Sequence, residues 1–124
     1  MISFEAFSME DGVPIYQQII LFLKRGIASG AVRDGDELPS RRALSALLGV
    51  NPNTVQKACH LLEQEGLMES RSGSKSCICL SPHAAETVRR ELLESDVRGI
   101  VGRLHHMGLT RGEAVALIEQ YWEG

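Results

Sequence analysis

The sequence contains no run of about 18 or more consecutive apolar residues, the length that a helix needs to cross a membrane. Its first residues, MISFEAFSMEDG, lack the basic and then apolar segments of a secretory signal peptide. The chain has only three cysteines, an odd number at spacings that do not suggest a disulfide framework. These absences favour a cytoplasmic protein in a reducing compartment.

Signatures of catalysis are also missing. The sequence has no nucleophile paired with a base, no glycine loop that could cradle phosphate and no HExxH motif, so we expect neither an enzyme nor a bound cofactor. An excess of positive charge, which is common in nucleic-acid binders, is absent as well. The chain carries 13 Lys and Arg against 16 Asp and Glu, a net charge of −3.

The chain does have enough apolar residues, 44% of 124, for one modest core with an appended element. Residues 38–55, LPSRRALSALLGVNPNTV, predict two short helices separated by a turn. Ser40 is a typical N-cap for the first helix, and Gly49 is a typical C-terminal stop. The predicted apolar face of this helix consists of Leu44, Leu47 and Leu48.

The second helix is predicted to take Asn53 as its N-cap and to open with Thr54. Its apolar residues recur at helical spacing and are Val55, Ala58, Leu61 and Leu62. Two helices in this arrangement form a helix-turn-helix. The N-terminus of the second, or recognition, helix is where such proteins meet base edges and phosphates.

A β-hairpin is predicted directly after the recognition helix, which we expect to end at Gly66. Residues 67–71 and 75–80 are typical of two strands, joined by Ser72, Gly73 and Ser74. A hairpin in this position is a wing. With a helix predicted over residues 14–29, residues 14–80 form a winged helix-turn-helix, so the expected fold is mainly α with a small β-hairpin wing.

This stretch resembles the GntR family of bacterial transcription regulators, whose N-terminal domain carries PIYxQI, LPSxRxLAxxLGVNxxTV and RxGxGTFV motifs in that order. About two thirds of the chain is covered. The matching residues are Pro14, Ile15, Tyr16, Gln17, Gln18 and Ile19, then Leu38, Pro39, Ser40, Arg41 and Arg42, then Leu48, Gly49, Val50 and Asn51, then Thr54 and Val55, then Glu65, Gly66 and Leu67, and finally Arg71, Ser72 and Gly73. The resemblance implies a DNA-binding regulator.

Positive charge is concentrated in the motif helices and the wing, at Arg41, Arg42, Lys57, Arg71 and Lys75. Residues 1–80 as a whole carry eight Lys and Arg against nine Asp and Glu, so a positive face depends on placement and not on net charge. The alternative is that these five cations are ordinary solvated surface charges.

The resemblance implies that Arg42 contacts DNA in the major groove, where a guanidinium pairs with guanine or with phosphate. Arg41, at a variable motif position, is expected to be a phosphate contact or a free surface charge. Ser40 and Thr54 are expected to cap helices and donate to phosphates, while Gln56 is expected to reach a base. The candidate DNA-contacting residues are Ser40, Arg41, Arg42, Asn51, Asn53, Thr54, Gln56, Lys57, Arg71, Ser72, Gly73 and Lys75.

Two features depart from the family pattern. Many relatives carry Arg where this chain has Pro52 or Gln56, so we expect the recognition helix to depend more on hydrogen bonds and shape. Lys75 replaces the second glycine of the wing motif, as a phosphate contact or as a solvated lysine.

Residues 81–124 are predicted to form two helices that pair protomers. The first has apolar residues at heptad spacing, and the second opens with a capping box from Thr110 to Glu113. The expected dimerisation residues are Leu93, Val97, Ile100, Leu104, Met107, Leu117, Ile118, Tyr121 and Trp122. We do not expect two such helices to enclose a ligand pocket. The resemblance implies the YtrA-type subgroup, whose short C-terminal region pairs protomers.

These features predict a DNA-binding domain over residues 1–80 and a dimerisation region over residues 81–124. Because a two-fold protein binds a two-fold site, we expect a homodimeric repressor on an inverted-repeat DNA operator. Release by an unknown small-molecule effector is a further expectation. Two other interpretations stay open: a winged helix used only for protein interaction, and a metal or redox sensor using Cys59, Cys77 and Cys79.

Overall fold

The computed structural model describes residues 1–73 and 75–124 and forms two compact units, residues 1–90 and 91–124. Its elements are α1 (Ile15–Ser29), α2 (Arg41–Leu48), α3 (Pro52–Gln64), β1 (Met68–Ser70), β2 (Ser76–Ile78), α4 (Pro82–His106) and α5 (Arg111–Tyr121). The prediction of a mainly helical chain with a small hairpin is confirmed. The boundary expected after residue 80 lies just before α4. The two compact units instead divide inside α4, between residues 90 and 91.

The core of the first unit is built around α3, which contacts α1, α2 and β1. Residues that recur at helical spacing face this core because they lie on one side of each helix. They are Ile19, Leu23 and Ile27 from α1, Leu44 from α2, and Val55, Ala58 and Leu62 from α3. Leu61, which was expected on the same face of α3, is half-buried.

Gly26 allows the chain that leaves α1 to fold back against the helix. The Val32 amide donates to the Gly26 carbonyl at 2.9 Å. A Cβ atom at position 26 would lie 2.5 Å from Val32 Cγ2, which is shorter than real contacts allow. The close approach therefore depends on glycine at this position.

The expected ends of α2 are confirmed. Ser40 Oγ accepts a hydrogen bond from the Ala43 amide at 3.1 Å, and Gly49, with φ of 67°, ends the helix. The expectation that Leu47 joins the apolar face is wrong, because its side chain is 66% exposed. Ser45 is buried instead and donates to the Val50 carbonyl at 2.6 Å, which turns the buried face of this short helix away from Leu47.

The recognition helix α3 begins earlier than predicted. Its N-cap is Asn51, whose Oδ1 accepts from the Asn53 amide at 2.8 Å, so the prediction of Asn53 as the cap is wrong. Pro52 occupies the first turn, where its missing N–H is tolerated and its fixed φ favours the helix. Thr54 therefore lies inside the first turn. The helix ends at Gln64, and Gly66 follows it with φ of 77°.

The predicted hairpin is present with shorter strands. β1 and β2 pair antiparallel, with Met68 opposite Ile78 and Ser70 opposite Ser76. Sequence reasoning missed a third extended segment on the other edge of β2, where Glu37 forms a bridge with Cys77. The segment is bound through the Ile78 amide to the Asp36 carbonyl at 2.7 Å and the Leu38 amide to the Ser76 carbonyl at 3.0 Å. Of the predicted turn, Ser74 lies outside the described residues.

The first residues of the chain pack on α1, a feature that the sequence analysis did not foresee. Ile2 and Phe4 are buried, and the rings of Phe4 and Phe22 are stacked with centroids 5.0 Å apart. Phe7 meets Phe22 edge-on at 5.4 Å. The Ile2 amide also donates to the Glu37 carbonyl at 2.8 Å.

Candidate nucleic-acid interface

The start of α3 presents a polar face to solvent. Asn53, Gln56 and Lys57 are exposed and lie three and four residues apart, which places them on the side of the helix opposite the buried residues. Thr54 is half-buried, and the side chain of Asn51 is occupied with capping. We name Asn53, Gln56 and Lys57 the recognition face. It offers two amide groups and an ammonium at the N-terminal end of the helix.

Lys57 is held against α1. Its Nζ lies 4.1 Å from the centroid of the Tyr16 ring, in cation–π geometry, and Tyr16 OH accepts from Gln17 Nε2 at 3.1 Å. Tyr16 was noted only as part of a motif. The contact joins residues 41 positions apart in the chain, so no local pattern indicated it.

The two adjacent arginines at the start of α2 have different surroundings. Arg42 is exposed, and among residues 1–73 and 75–124 no ion-pair partner is found for it. Arg41 pairs through Nη2 with Glu63 Oε1 at 3.1 Å, and its side chain is only 21% exposed. The expectation that Arg41 could be a free surface charge is therefore wrong, because a carboxylate and two hydroxyls surround it.

Arg41 Nη2 also donates to Ser70 Oγ at 2.9 Å and to Ser76 Oγ at 3.3 Å. Ser70 Oγ in turn donates to Glu63 Oε1 at 2.5 Å. We name Arg41, Glu63, Ser70 and Ser76 the Arg41 cluster. Its effect is to bring the first residue of α2, the last turns of α3 and both wing strands together.

The wing carries the remaining candidates. Arg71, Ser72, Gly73 and Lys75 are exposed, and the Arg71 amide donates to the Lys75 carbonyl at 2.8 Å across the base of the turn. Gly73 has φ of 70°, a conformation that favours glycine. Arg71 Nε donates to Cys77 Sγ at 3.0 Å, and its Nη2 lies 3.6 Å from Glu69 Oε2. Arg71 is thus paired with a carboxylate and a thiol, whereas no ion pair is seen for Lys75 among the described residues.

The cysteines do not form one cluster. Cys59 and Cys77 are buried, whereas Cys79, which lies beyond the end of β2, is exposed. Burial raises the pKa of the Cys59 thiol, partly opposed by a hydrogen bond from Arg41. Desolvation, with the charges of Glu69 and Asp34, raises the pKa of Cys79. Both thiols are held in the less reactive protonated form at neutral pH.

Within the part of the chain that the structure describes, no group of three or more His, Cys, Asp or Glu side chains is placed to hold a metal ion. Nor does any described helix combine the length and apolar character required to span a membrane.

The second unit, residues 91–124, exposes an apolar surface. Both ends of the expected seam are open to solvent, with Leu93 at 50% and Met107 at 67% exposed. The exposed members of the predicted dimerisation set are Leu93, Val97, Ile100, Met107, Leu117, Ile118, Tyr121 and Trp122, and Leu104 is half-buried. Thr110 and Glu113 form the predicted capping box, which is confirmed.

A groove of about 570 Å³ runs between α4 and α5 inside this unit, lined by residues that include Ile100, Leu104, Ala114 and Ile118. Two such helices were not expected to enclose a pocket, and the space between them is an open groove. The two helices diverge at Gly108, which has φ of 79°, and the apolar side chains of each line the space between them. Almost all of that lining is apolar.

Comparison with known proteins identifies the chain. The family described as "Bacterial regulatory proteins, gntR family" matches residues 15–78. The HTH-type transcriptional regulator YhcF of Bacillus subtilis is 30% identical over 111 residues, which cover 90% of this chain and 92% of YhcF. The HTH-type transcriptional repressor YtrA of the same organism is 34% identical over 99 residues, covering 77% of this chain and 75% of YtrA.

A solved structure of a GntR family transcriptional regulator from Listeria monocytogenes has the same fold, with a TM-score of 0.80 and 24% identity, and the match covers 90% of this chain and 98% of that one. The family is one of transcription regulators and not of enzymes. This chain belongs to the GntR family of bacterial DNA-binding transcription regulators and is YtrA-like within it.

Proposed function

We propose that the protein is a repressor that binds an inverted-repeat operator as a homodimer. The observation that carries the proposal is the exposed recognition face at the N-terminus of α3, with Arg42 exposed at the start of the neighbouring helix. Amide side chains and a guanidinium are the groups that pair with adenine and guanine edges in the major groove. Buried residues on the opposite side of α3 keep this face outward.

The roles we assign follow from exposure. Gln56 and Arg42 contact bases or adjacent phosphates, and Lys57 and Lys75 contact phosphates. Ser40, the N-cap of α2, and Thr54, in the first turn of α3, donate hydroxyls to phosphates. The proposed contact set is Ser40, Arg42, Asn51, Asn53, Thr54, Gln56, Lys57, Arg71, Ser72, Gly73 and Lys75. Arg41 is treated separately because its guanidinium is already bonded inside the protein.

The apolar surface of residues 91–124 supports the homodimer. Leu93, Val97 and Ile100 are each at least 40% exposed, and they repeat at the spacing of a helix that packs against another. Burying apolar surface is worth about 25 cal/mol per Å², so a second copy that covers this face gains stability. We propose that residues 81–124 form the dimerisation region and residues 1–80 the DNA-binding domain. The joined domains bind two half-sites with greater affinity than either alone.

The repressor assignment is supported by the relative YtrA, which is named a transcriptional repressor and is 34% identical to this chain. We place the protein in the cytoplasm, where a regulator meets the chromosome. Release from DNA by a small-molecule effector stays a prediction.

The test is a binding-site selection from random duplexes with the full chain, followed by footprinting and by measurement of mass in solution. We expect enrichment of an inverted repeat, protection of two half-sites about 34–36 Å apart and a mass of two chains per duplex. Affinity is expected to fall steeply with salt because phosphate contacts release counterions. A protein that enriches no sequence while retaining its dimer would favour the protein-interaction alternative.

A further inference from the structure

Arg41 connects three elements that are far apart in the chain. Its Nη2 reaches Glu63 in α3, Ser70 in β1 and Ser76 in β2, which lie 22, 29 and 35 positions away. No neighbouring arginine is used in this way, since Arg42 is exposed. A single guanidinium therefore fixes the hairpin relative to the helix-turn-helix.

The contact is made at the base of the wing. Ser70 and Ser76 face each other in the register of the hairpin, as the last residue of β1 and the first residue of β2. The exposed loop with Arg71 and Lys75 begins immediately beyond this pair. The hydrogen bonds that orient Ser70 and Ser76 therefore also orient the loop.

The Arg41 guanidinium is partly buried and bonded to other side chains of the protein. Its Nε is buried without a hydrogen-bond partner, and Glu63 compensates its charge. Cys59 and Ser76, which lie close to it, are each only 2% exposed. An arginine that turned outward to a phosphate would leave the Glu63 carboxylate without its cation and two serine hydroxyls without a donor, which is costly for partly buried groups.

We propose that Arg41 is a positioning residue, which fastens the wing to the helix-turn-helix and so supports operator binding without touching DNA. The proposal rests on the operator binding proposed above. Ion pairs with several shared hydrogen bonds hold geometry better than isolated surface pairs, because each partner restrains the others. The wing thus reaches its groove in one orientation.

The first test compares the adjacent arginines, Arg41→Gln and Arg42→Gln, in the full chain on the selected operator over a series of KCl concentrations. Arg41→Gln is expected to weaken binding about tenfold with the slope of log affinity against log salt unchanged. Arg42→Gln, the matched control, removes a direct contact and is expected to reduce that slope by about 1. A reduced slope in Arg41→Gln would overturn the proposal.

The second test is Glu63→Gln. The loss of its negative charge and the loss of its positioning contact are expected to change the affinity for DNA in opposite directions. Removing a negative charge near DNA strengthens binding if Glu63 merely restrains Arg41 from a phosphate. If the Arg41 cluster positions the wing, Glu63→Gln weakens binding instead. Tighter binding by this variant is therefore incompatible with the proposal.

The third test measures coupling to the wing. Losses in affinity for Arg41→Gln and Lys75→Gln are expected to be less than additive, whereas those for Arg42→Gln and Lys75→Gln are expected to add. Additive losses in the Arg41 pair would count against the proposal. Arg41→Lys serves if Arg41→Gln does not fold, since a lysine keeps the pair with Glu63 without spanning both serines, and it is expected to show a smaller loss at unchanged slope.

Hydrogen exchange in the free protein separates failure of this inference from failure of the proposed function. Arg41→Gln is expected to speed amide exchange at Arg71, whose amide closes the wing turn, with less effect in α1. Unchanged exchange there would overturn the inference even if the protein binds DNA. If the wild-type chain selects no operator, the proposed function and the role of Arg41 in DNA binding are both wrong. Faster exchange in the wing of Arg41→Gln would still show that Arg41 fastens the wing to the helix-turn-helix.

Discussion

Lys57 of the recognition helix and Tyr16 of α1 are joined by a cation–π contact, with Nζ 4.1 Å from the ring centroid. The contact lies where α1 begins and where α3 is exposed, so it fixes a lysine that would otherwise sample many rotamers. A lysine with its ammonium placed in advance loses less side-chain entropy when it meets a phosphate.

This contact can be measured by a double-mutant cycle of Tyr16→Leu and Lys57→Met on the free energy of unfolding in urea. We expect a coupling of about 0.5–1 kcal/mol, because the exposed ammonium is partly solvated. The control is Tyr16→Phe, which keeps the ring and is expected to retain the coupling. A coupling of zero would show that the two side chains pass each other without interaction.

Arg42→Ala is expected to cost about 1–3 kcal/mol of specific binding and to leave the thermal unfolding midpoint unchanged, because the side chain is exposed. Titrations on operator and on scrambled duplexes measure the specific part. Arg98→Ala removes the same charge from an exposed position in the other compact unit and should bind as the wild type does. Equal affinity for both variants would exclude Arg42 from the contact set.

Ile100→Asp is expected to dissociate the proposed dimer, because the aspartate places a charge on the apolar surface of α4. The side chain is 40% exposed in the single chain, so the fold of the protomer should survive. Mass in solution and operator affinity should fall together. Arg98→Asp introduces the same carboxylate outside the predicted seam and should remain dimeric. A monomeric Ile100→Asp variant with full operator affinity would show that operator binding does not depend on dimerisation.

Glu113 should make the stability of α5 depend on pH. Hydrogen bonds from the Thr110 backbone and then from its hydroxyl hold the pKa of this carboxyl below its usual range. Its folded pKa is therefore lower than its unfolded pKa, so the stabilisation is complete above the unfolded value and is lost as pH falls through the folded value.

Thermal unfolding followed by circular dichroism at pH 7 and at about pH 3 tests this dependence. The advantage of the wild type over Glu113→Gln should be larger at pH 7 and should shrink in acid. The control is Glu119→Gln, which removes a carboxylate from the same helix without touching the capping box. An advantage that persists in acid would contradict the assigned hydrogen bonds.

The sequence was most informative where structure is local. Ser40 is the N-cap of α2 and Gly49 ends that helix, as predicted, and the predicted capping box at Thr110 is present. These features were predictable because a cap depends on residues within three or four positions. The start of α3 was misplaced because Asn51 and Asn53 are equally good caps. Pro52 between them decides the matter, since proline is favoured in the first turn.

Long-range contacts could not be predicted. The environment of Arg41 depends on partners 22 to 35 positions away, and the motif position that separates it from Arg42 does not indicate those partners. The bridge from Glu37 to Cys77 was missed for the same reason, since the segment has no alternating pattern of its own. The candidate DNA-contacting residues could be listed from motifs, but their exposure and pairing required the fold.

The unequal burial of the three cysteines has a practical consequence. Cys79 is exposed, whereas Cys59 and Cys77 are enclosed. A maleimide dye or spin label should therefore attach to the native chain at one position, directly after β2. Because the pKa of Cys79 is raised, mildly alkaline buffer speeds the coupling. The protein thus carries its own reporter for wing motion, with no engineered thiol required.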